Sequence, residues 1–511
     1  MQTKRIGGAD LAALALFLFC VVFAVWFSYG ESFPTDYWFF LSSGREIVEN
    51  GIPHVNPFSV EPGLGIVVQQ WLWDVCAYLL YSAGGFNLAL VPVCALAVSA
   101  IALTLAACRV FSGGRAALWQ ELVLCSLFAA GALPWLCARP HIVTMNLMLA
   151  VLIVCERTAR DGRERRLMLL PLVMVVEMQF HMSMAWILAF VCGVYCLPRS
   201  VAELKAVLSP AGAAAHVRER KSFVLALVAM VCVMPINPYG VDGMMYLFNS
   251  IGAASYRGLI FEMRPLWVSG VDWEVAVHLV AFPLLAVIGT RRGGKARPDL
   301  AFLFACCAAA EAMQVRSGWI PCVAGVALAA SSVKGESRPG REASAAADVE
   351  IDAAAAVGIG LAAAQAISPL PDSSAGFTMQ DTYVGPLLEE VEGDFGSKDA
   401  VVFCSRWVDF NYLEWRGWKV LVDARPEIWE PKVSGSPKHL NQDFFDCVYA
   451  ASVGDADAAE GYVRSRGCEY VLVCEESIGA DPGYGEFFAG QGWLERMDGN
   501  GVYTLYRVVE K

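Results

Sequence analysis

Charged residues are scarce in this sequence. Only 17% of its 511 residues are charged and 57% are hydrophobic, whereas soluble domains carry roughly a quarter charged residues. This deficit excludes an ordinary soluble protein and predicts a polytopic membrane protein with some soluble mass attached. The sequence also lacks a basic excess, since its formal net charge is −12. Without a basic patch there is no electrostatic footprint for nucleic acid, so we expect no nucleic-acid partner.

Metal-binding spacings and cleavage signals are missing too. Most of the 17 cysteines lie in or beside hydrophobic segments, where they are typical of small core residues. The four in the C-terminal region lack zinc-ligand spacing, and a disulfide among them stays open. These four are Cys404, Cys447, Cys468 and Cys474. The first hydrophobic segment is too long for a signal peptide and has no small-residue cleavage site, so we interpret it as a retained span.

Long apolar segments dominate what is present. A helix crosses the hydrocarbon with about 20 apolar residues. We predict about eleven spans, near residues 10–29, 87–111, 117–137, 141–156, 167–181, 184–198, 222–237, 273–290, 299–314, 317–332 and 351–368. Arg and Lys concentrate in alternate loops, which predicts a multi-pass plasma-membrane protein with a cytoplasmic N-terminus. With eleven spans the C-terminal domain is extracytoplasmic; if the Ala-rich segment 351–368 does not span, that domain is cytoplasmic.

The predicted fold class is therefore mainly α, a polytopic transmembrane helical bundle followed by a C-terminal soluble α/β domain. The predicted parts are a transmembrane domain 1–334 with its first outside loop 30–86, a cytoplasmic linker 335–349, a last transmembrane helix 350–368 and an extracytoplasmic α/β domain 377–511. The last domain holds the entire acidic excess of the chain. In it we predict buried parallel strands at 400–404, 419–423 and 470–474, a helix at 455–466 and an edge strand at 502–506.

The first outside loop contains a prominent acid, Asp36. Thr35 is suited to cap a helix that ends at Asn50-Gly51, and Asp36 then sits in its first turn. A second amphipathic helix begins near Trp71, and we expect both helices to lie on the membrane surface with their aromatic faces. A first-turn acid stabilises a helix by roughly 0.3–1 kcal/mol, so a structural role for Asp36 stands beside a catalytic one.

Unusual polar residues gather at the outside ends of the predicted spans. The set comprises Arg139, His141, Glu177, His181, Asn237, Tyr239, Glu262, Arg264 and Arg316. Ionisable groups at membrane depth are costly unless they face a cavity or a partner, so we predict one polar cavity. Its arginines suit phosphate or carboxylate, because guanidinium forms paired hydrogen bonds with oxyanions. The alternative is that they neutralise lipid headgroups or nearby acids.

Other polar residues have structural interpretations. His54, His141 and His181 do not form a metal motif by spacing, and each is a candidate base, ligand or structural histidine. Asp423-Ala-Arg425 is typical of a salt-bridged turn after a strand, which we favour over chemistry. Four tryptophans near it are candidates for sugar stacking but are more often core residues; they are Trp407, Trp415, Trp418 and Trp429.

A series of short motifs runs in order along the chain. In the first loop they are Asp36-Tyr-Trp, Gly44-Arg45, Gly51-x-Pro53, Asn56-Pro57-Phe58-Ser59 and Gln70-Trp71-Leu72. Later they are Arg139-Pro140-His141, His181, Asn237-Pro238-Tyr239-Gly240, Glu262 with Pro265, Arg316 and Asp423-x-Arg425. Together they resemble a large set of bacterial integral membrane proteins of the GT-C glycosyltransferase superfamily, the class of dolichyl-phosphate-mannose mannosyltransferases and aminoarabinose transferases. The resemblance covers most of the chain.

The resemblance implies a GT-C-like architecture, a polyprenyl-phosphate-linked sugar donor and a catalytic acid in the first loop. That acid maps to Asp36, as base toward an acceptor hydroxyl or in acceptor binding, and Arg139, Arg264 and Arg316 would hold the donor phosphate. Residues implied to line the substrate site are Arg45, His54, His141, His181, Asn237, Tyr239 and Glu262. Here Asp36 has no acidic neighbour, and the loop between spans three and four offers Arg139 and His141 instead of acids. No ligand set for a divalent metal is therefore assigned.

Two hypotheses follow. In the first, the chain is a membrane glycosyltransferase, a hexosyl- or pentosyltransferase that moves a sugar from the lipid donor to an envelope acceptor outside. In the second, it is a non-catalytic protein that binds or translocates a polyprenyl lipid or envelope polymer, or scaffolds an envelope complex. The missing second acidic motif favours the second, and the Asp36 loop with the outside arginines favours the first.

Overall fold

The computed structural model describes residues 8–30, 35–251, 260–270, 273–333, 379–478 and 483–510. By their internal contacts the residues form two compact units. The first unit comprises Met1–Ser32, Leu90–Gly240 and Glu262–Pro371, and the second comprises Phe33–Ala89, Val241–Phe261 and Asp372–Lys511. The predicted linker 335–349 and last transmembrane helix 350–368 lie outside the described residues.

Helices make up the described chain as far as residue 333. They are α1 Gly8–Gly30, α2 Tyr37–Asn50, α3 Trp71–Ser112, α4 Leu118–Ala132, α5 His141–Asp161, α6 Leu169–Phe180, α7 Ala185–Val194, α8 Val201–Ala206, α9 Pro210–Glu219, α10 Lys221–Val233, α11 Val241–Ile251, α12 Leu266–Ser269, α13 Trp273–Ala276, α14 Phe282–Arg291, α15 Pro298–Met313 and α16 Trp319–Ser332. Short 3-10 turns occur at Leu133–Trp135, Glu164–Met168, Met182–Met184, Phe261–Met263 and Val315–Ser317, and a π-helical turn at Val277–Ala281.

Ten of the predicted spans coincide with helices, but their ability to cross a bilayer differs. Within the described residues, three helices are long and apolar enough to cross a membrane: α3, α5, and α4 taken with its following turn, Leu118–Trp135. Other apolar helices are shorter, at Asp10–Trp26, Met182–Val194, Lys221–Val233 and Val277–Arg291. The mainly helical membrane architecture is confirmed, whereas the number of eleven spans stays a prediction.

Helix α5 organises the polar chemistry of the first unit. It begins after Pro140, and it ends at Gly162, whose φ of 71° is the left-handed conformation that favours glycine. His141 and Glu156 lie on this helix fifteen residues apart, or roughly 22 Å along its axis at 1.5 Å per residue. Each of the two therefore belongs to a different polar cluster.

The cluster around Glu156 is a closed ionic network. Glu156 accepts hydrogen bonds from Arg160 at 2.7 Å, from Arg199 at 2.8 Å and from Arg297 at 3.1 Å. Arg297 also pairs with Asp299 at 2.7 Å. Both carboxylates are buried, and each faces arginine. Such a network joins the end of α5, the chain after α7 and the start of α15.

The second unit contains all the strands of the described chain. Its further helices are α17 Gly385–Phe395, α18 Phe410–Trp415, α19 Pro431–Ser434, α20 Leu440–Ser452, α21 Ala456–Ser465 and α22 Gly485–Ala489, with a π-helical turn Gln380–Val384 and 3-10 turns Trp407–Asp409 and Pro426–Trp429. The strands are β1 Val402–Cys404, β2 Tyr470–Cys474, β3 Leu494–Gly499 and β4 Tyr503–Val508. They form one sheet in the order β1-β2-β4-β3.

The sheet agrees with the predicted strands only in part. β1 and β2 are buried and pair in parallel, with Val402 opposite Tyr470, as predicted. β4 is not an edge strand, because it lies antiparallel between β2 and β3. β3 is a strand that the sequence did not predict; its partly exposed, charged side chains hide the strand pattern.

The predicted strand 419–423 is also wrong. Val420 makes only an isolated parallel bridge, in which its N–H donates to Phe58 O at 2.8 Å and its own carbonyl accepts from Val60 N at 3.0 Å. The apolar run is therefore paired with the first loop, 360 residues earlier in the chain, rather than with β1 or β2. A single-sequence pattern records burial but not which partner provides it.

The aromatic face of α2 packs against protein in the second unit. Tyr37, Phe40 and Leu41 are buried, and the ring of Trp38 lies 4.9 Å from that of Tyr412 on α18. The aromatic face of this helix thus contacts α18, and its position on the membrane surface stays a prediction. The second predicted helix is the start of α3, which passes a break at Gly84-Gly85 before its apolar part.

Candidate functional site

An ion pair joins two turns of the first unit that the sequence predicts to lie on the outside. Arg139 stands in the turn before α5 and Glu262 in the short 3-10 turn before α12; Arg139 Nη1 donates to Glu262 Oε2 at 2.9 Å. Burial opposes the charge on Glu262, but Arg139 and Arg316 nevertheless hold the pKa of that carboxyl below its ordinary value. Glu262 therefore remains a carboxylate at neutral pH.

Trp135 connects the neighbouring turns. Its indole Nε1 donates to the carbonyl oxygen of Arg316 at 3.1 Å, and its own carbonyl lies 2.7 Å from His141 Nε2. Val315 N in turn donates to the carbonyl of Arg264 at 3.2 Å. The structure therefore brings five of the predicted site residues together in this part of the first unit: Arg139, His141, Glu262, Arg264 and Arg316.

A hydrogen-bonded chain runs from the first turn of α5. Thr144 Oγ1 lies 2.6 Å from Glu177 Oε1 and 2.9 Å from His181 Nδ1. All three side chains are buried. His181 follows the last residue of α6, and electrostatic interactions link it to His141 and Arg316. His181 thus joins the predicted set, held by two groups, Thr144 and Glu177.

Arg316 differs from Arg139, Arg199 and Arg297, each of which bonds a carboxylate. Its guanidinium makes no hydrogen bond or ion pair within the described part of the chain, although its charge acts on His141, His181 and Glu262. Because guanidinium forms paired hydrogen bonds with oxyanions, Arg316 is a candidate donor for an anionic ligand.

Asn237 and Tyr239 belong to a turn. Asn237 Nδ2 donates to the carbonyls of Met234 and Gly240 at 2.8 Å, and its Oδ1 accepts from Tyr239 N at 2.8 Å. Gln179, near the end of α6, donates to Ile236 O at 2.7 Å. The Asn-Pro-Tyr-Gly motif therefore shapes the chain after α10 through its own backbone.

Asp36 lies in the second unit, at the residue before α2. Its carbonyl accepts from Phe39 N at 3.1 Å, and its side chain does not cap the helix. The adjacent Thr35 carbonyl accepts from Asn411 Nδ2 of α18 at 3.3 Å. Asp36 is partly exposed, so the structure keeps its carboxylate at a helix start with solvent access and without the capping bond of a purely structural acid.

Arg45 and His54 occupy the same first loop. Arg45 donates to the last carbonyls of α18, Trp415 O at 2.9 Å and Glu414 O at 3.3 Å, and lies 4.7 Å from the Trp415 ring. A cation at a helix C-terminus complements the helix dipole. His54 is exposed, and its carbonyl accepts from Ile66 N. Arg45 is thus a structural clamp on α18.

Arg425 centres a buried ionic cluster in the second unit. It bonds Asp423 through Nε at 3.0 Å, Glu414 at 2.9 Å and Ser43 Oγ at 2.8 Å. Burial and the neighbouring Asp423 raise the pKa of Glu414 well above its ordinary value, and Arg425 opposes this. The structure agrees with the salt-bridged turn that we favoured for Asp423-x-Arg425. Trp418 and Trp429 are buried, as expected for core residues.

Sequence reasoning missed several polar groups of the first unit. Thr144 and Trp135 gave no signal, since each is a common residue in an apolar segment. His278 and Glu311 are fully buried, 2.9 Å apart, and His278 Nε2 lies 2.7 Å from Gly131 O. A Cβ at Gly318 would lie 2.6 Å from the Trp135 ring. Ionisable residues within predicted spans were the available signal. No group of three potential metal ligands occurs within the described residues.

Solved structures identify the architecture. The oligosaccharyltransferase AglB from Archaeoglobus fulgidus, in complex with an inhibitory peptide and a dolichol-phosphate, aligns with a TM-score of 0.55 and 11% identity over 90% of this chain and 69% of that one. The apo form of the Archaeoglobus fulgidus oligosaccharyltransferase gives 0.54 and 12%, over 91% and 70%. The fold is GT-C-like.

The same enzyme tethered to an acceptor peptide gives 0.54 and 12% identity, over 91% of this chain and 69% of that one. At such identities the likeness concerns the fold, and it confirms at that level the resemblance that the motifs predicted. Neither a protein-family model nor a curated protein matches the chain in sequence.

Proposed function

We propose that this protein is a GT-C-type membrane glycosyltransferase that moves a sugar from a polyprenyl-phosphate donor to an envelope acceptor on the extracytoplasmic face. The GT-C-like fold supports this class of activity, and one of the similar structures was solved with a dolichol-phosphate. Transfer from such a donor needs a site for a lipid phosphate and a base for the acceptor.

The observation that carries the proposal is the donor-rich cluster of the first unit. The guanidinium of Arg316 has no hydrogen-bond partner within the described chain, Arg139 is 2.9 Å from Glu262, and His141 and His181 lie within electrostatic reach of Arg316. These groups are proposed to hold one phosphate, which guanidinium binds in a bidentate manner. Arg264, in the adjoining turn, is the third phosphate-binding residue of the proposal.

Asp36 is the proposed base. The resemblance assigns the catalytic acid to this position, and its carboxylate is partly exposed at the start of α2. Its role is to accept the proton of the attacking hydroxyl. General-base catalysis of this kind raises a reaction rate by about 10²–10⁴-fold. His54, His141, Asn237, Tyr239 and Glu262 are proposed to surround the substrates, and Arg45 acts through α18 instead.

A deletion strain complemented with variants tests the proposal. Mass spectrometry of lipid-linked sugars and envelope glycans should show the same lost product and accumulated precursor in the deletion and in Asp36→Asn, at equal protein levels. Asp242→Asn, which changes an exposed acid in the first turn of α11, is the matched control and should restore the wild-type pools. Pools that Asp36→Asn restores fully would contradict the proposed chemistry.

Binding separates this function from a non-catalytic lipid-binding role. Farnesyl phosphate, a short polyprenyl phosphate, should bind the wild-type protein in nanodiscs and bind Arg316→Gln at least tenfold more weakly. Arg218→Gln, at an exposed arginine of α9, should bind normally. If farnesyl phosphate binds but deletion leaves every sugar pool unchanged, the protein binds polyprenyl phosphate without transferring sugar.

A further inference from the structure

A line of hydrogen bonds links the side chains of Glu177, Thr144 and His181 and ends at the imidazole ring. Thr144 Oγ1 contacts a carboxyl oxygen of Glu177 at 2.6 Å on one side and His181 Nδ1 at 2.9 Å on the other. The other imidazole nitrogen, Nε2, makes no hydrogen bond to any described residue, and on the ring it faces away from Thr144. The chain of contacts therefore terminates at an open ring nitrogen.

The surroundings of Glu177 determine where the hydrogens lie. Glu177 is fully buried, no cationic group of the described chain lies within 4 Å of it, and its Oε2 atom has no hydrogen-bond partner. An isolated carboxylate is far more costly to bury than a neutral carboxyl group. Glu177 thus keeps its proton and, through the 2.6 Å contact, donates it to Thr144 Oγ1.

Because a hydroxyl group carries only one hydrogen, the positions of the Thr144 and His181 hydrogens follow. Thr144 accepts from Glu177 and has one hydrogen of its own, which it donates to His181 Nδ1. His181 is then the neutral tautomer with its hydrogen on Nε2. Arg316 and His141 act electrostatically on His181, and the nearby guanidinium disfavours a second positive charge there. His181 therefore presents an N–H donor within electrostatic reach of the guanidinium of Arg316.

We propose that His181 is a catalytic residue whose Nε2–H donates a hydrogen bond to the departing phosphate of the donor, with Thr144 and Glu177 as positioning residues. This inference rests on the proposed function, because it places a phosphate ester near Arg316. A phosphate diester carries one negative charge, whereas the released monoester carries close to two, since its second pKa is about 6. A hydrogen bond from Nε2–H stabilises the second charge as it develops in a partly buried site.

In the transfer, the bond between the sugar C1 and the phosphate oxygen breaks and its electron pair stays on that oxygen. The acceptor oxygen bonds to C1 and gives its proton to the general base. The Nε2 hydrogen stays on His181 and forms a hydrogen bond to the phosphate oxygen, while Glu177, too deeply buried to ionise, keeps its own proton.

Nitrogen-15 NMR of the full-length protein in nanodiscs tests the tautomer directly. The His181 signal, assigned by its loss in His181→Asn, should report hydrogen on Nε2 at neutral pH. Thr144→Val removes the hydroxyl and should abolish this preference, whereas Thr158→Val removes another hydroxyl of α5, bonded only to Val154 O, and should not. Hydrogen on Nδ1 in the wild-type protein would overturn the proposal.

A second experiment measures ligand binding and sugar transfer by His181 variants, with farnesyl phosphate, inorganic phosphate and farnesol as binding probes. His181→Gln, which keeps an N–H near the Nε2 position, should bind farnesyl phosphate within about threefold of the wild-type protein and keep sugar transfer in cells within about tenfold. His181→Asn, whose shorter side chain does not reach that position, should weaken binding about tenfold and lower sugar transfer about 10²-fold, the scale of one lost donor to a developing oxyanion. Inorganic phosphate should show the same order more weakly, and farnesol none of it.

The outcomes separate the two ideas. If Arg316→Gln weakens farnesyl phosphate binding while both His181 variants bind and transfer normally, this inference is wrong and the proposed function stands. If none of the variants changes binding of farnesyl phosphate, the phosphate site itself is wrong. His216→Asn, at a histidine bonded to Cys196 O, controls for the loss of an imidazole elsewhere.

Discussion

The two polar clusters at the ends of α5 solve the problem of buried charge in different ways. At one end, Glu156 and Asp299 share hydrogen bonds and ion pairs with Arg160, Arg199 and Arg297. At the other, Thr144, Glu177 and His181 form a neutral chain near the half-buried Arg316. The first cluster pairs its carboxylates with arginines of the same chain, whereas in the second the guanidinium of Arg316 has no hydrogen-bond partner among the described residues.

The difference indicates which polar residues of a membrane bundle stabilise the fold and which bind ligands. A buried charge with several partners is costly to disturb, because each removed partner leaves an uncompensated group. A donor with no partner inside the protein contributes little to folding, so its retention calls for another cause. On this criterion Glu156 is structural, and Arg316 is the residue that we propose to bind a ligand.

The largest expected effect is on Glu156. Glu156→Gln leaves three arginines facing one fewer carboxylate, so we expect the free energy of unfolding to fall by about 3–5 kcal/mol, the usual result of breaking a buried ion pair. Thermal unfolding in one detergent, followed by circular dichroism, measures it. Glu164→Gln, at an exposed position in the next turn, should change stability by less than about 0.5 kcal/mol. A loss below about 1 kcal/mol for Glu156→Gln would remove the contrast between the clusters.

The sequence predicted the elements of this fold better than their partners. The apolar segments near residues 141–156 and 298–313 are long and uniform, and they are helices in the structure. β1 and β2 were predicted from buried β-branched runs. The run 419–423 has the same composition but bonds the first loop through Val420, because local pattern reports burial and not the distant residue that supplies it.

The candidate site follows the same rule. Arg139, Glu262 and Arg316 were predicted as one set from their shared position at span ends, and the structure brings them together in the first unit. Thr144 was not predicted, because a threonine in an apolar helix usually bonds its own backbone. Arg45 was expected at substrate, yet it bonds Trp415 O; an arginine in a loop does not by itself reveal whether its oxygen acceptor belongs to a ligand or to a helix end.

The ionic cluster of the second unit extends the comparison to pH. Arg425 faces Glu414 and Asp423 directly, Asp74 electrostatically, and Ser43, so acids outnumber the base. The pKa of Glu414 is raised by burial and by Asp423. Above about pH 5 the folded state then binds more protons than the unfolded state, and stability falls as pH rises toward the folded pKa.

We therefore expect the unfolding free energy to drop by up to about 1.4 kcal/mol per pH unit from this group as the pH rises above about 5 toward the folded pKa. Glu414→Gln should flatten that part of the slope, and Glu389→Gln, at an exposed glutamate paired with Arg416, should leave it unchanged. Unfolding curves of the full chain at matched detergent concentration measure it. A slope that persists undiminished in Glu414→Gln would assign the pH dependence to another group.

The smallest expected effect is on ligand affinity and concerns Glu262, in the cluster that contains Arg139 and Arg316. Glu262 competes with a phosphate for Arg139, and its pKa, lowered by the charges of Arg139 and Arg316 against the effect of burial, keeps it ionised at neutral pH. Because the Glu262 side chain is 41% exposed, its ion pair is worth about 1 kcal/mol at most. Glu262→Gln should then raise the affinity for farnesyl phosphate up to about fivefold, with little change in stability.

Lowering the pH through the folded pKa of Glu262 should raise the affinity of the wild-type protein in the same direction, and the variant should lack that component. The matched control is Glu121→Gln, which removes the carboxylate of another arginine pair in the first unit, Arg109–Glu121 at 3.0 Å, and should leave farnesyl phosphate binding unchanged. If Glu262→Gln instead weakens binding, Glu262 does not compete with the phosphate for Arg139. Its carboxylate then orients Arg139 toward the phosphate.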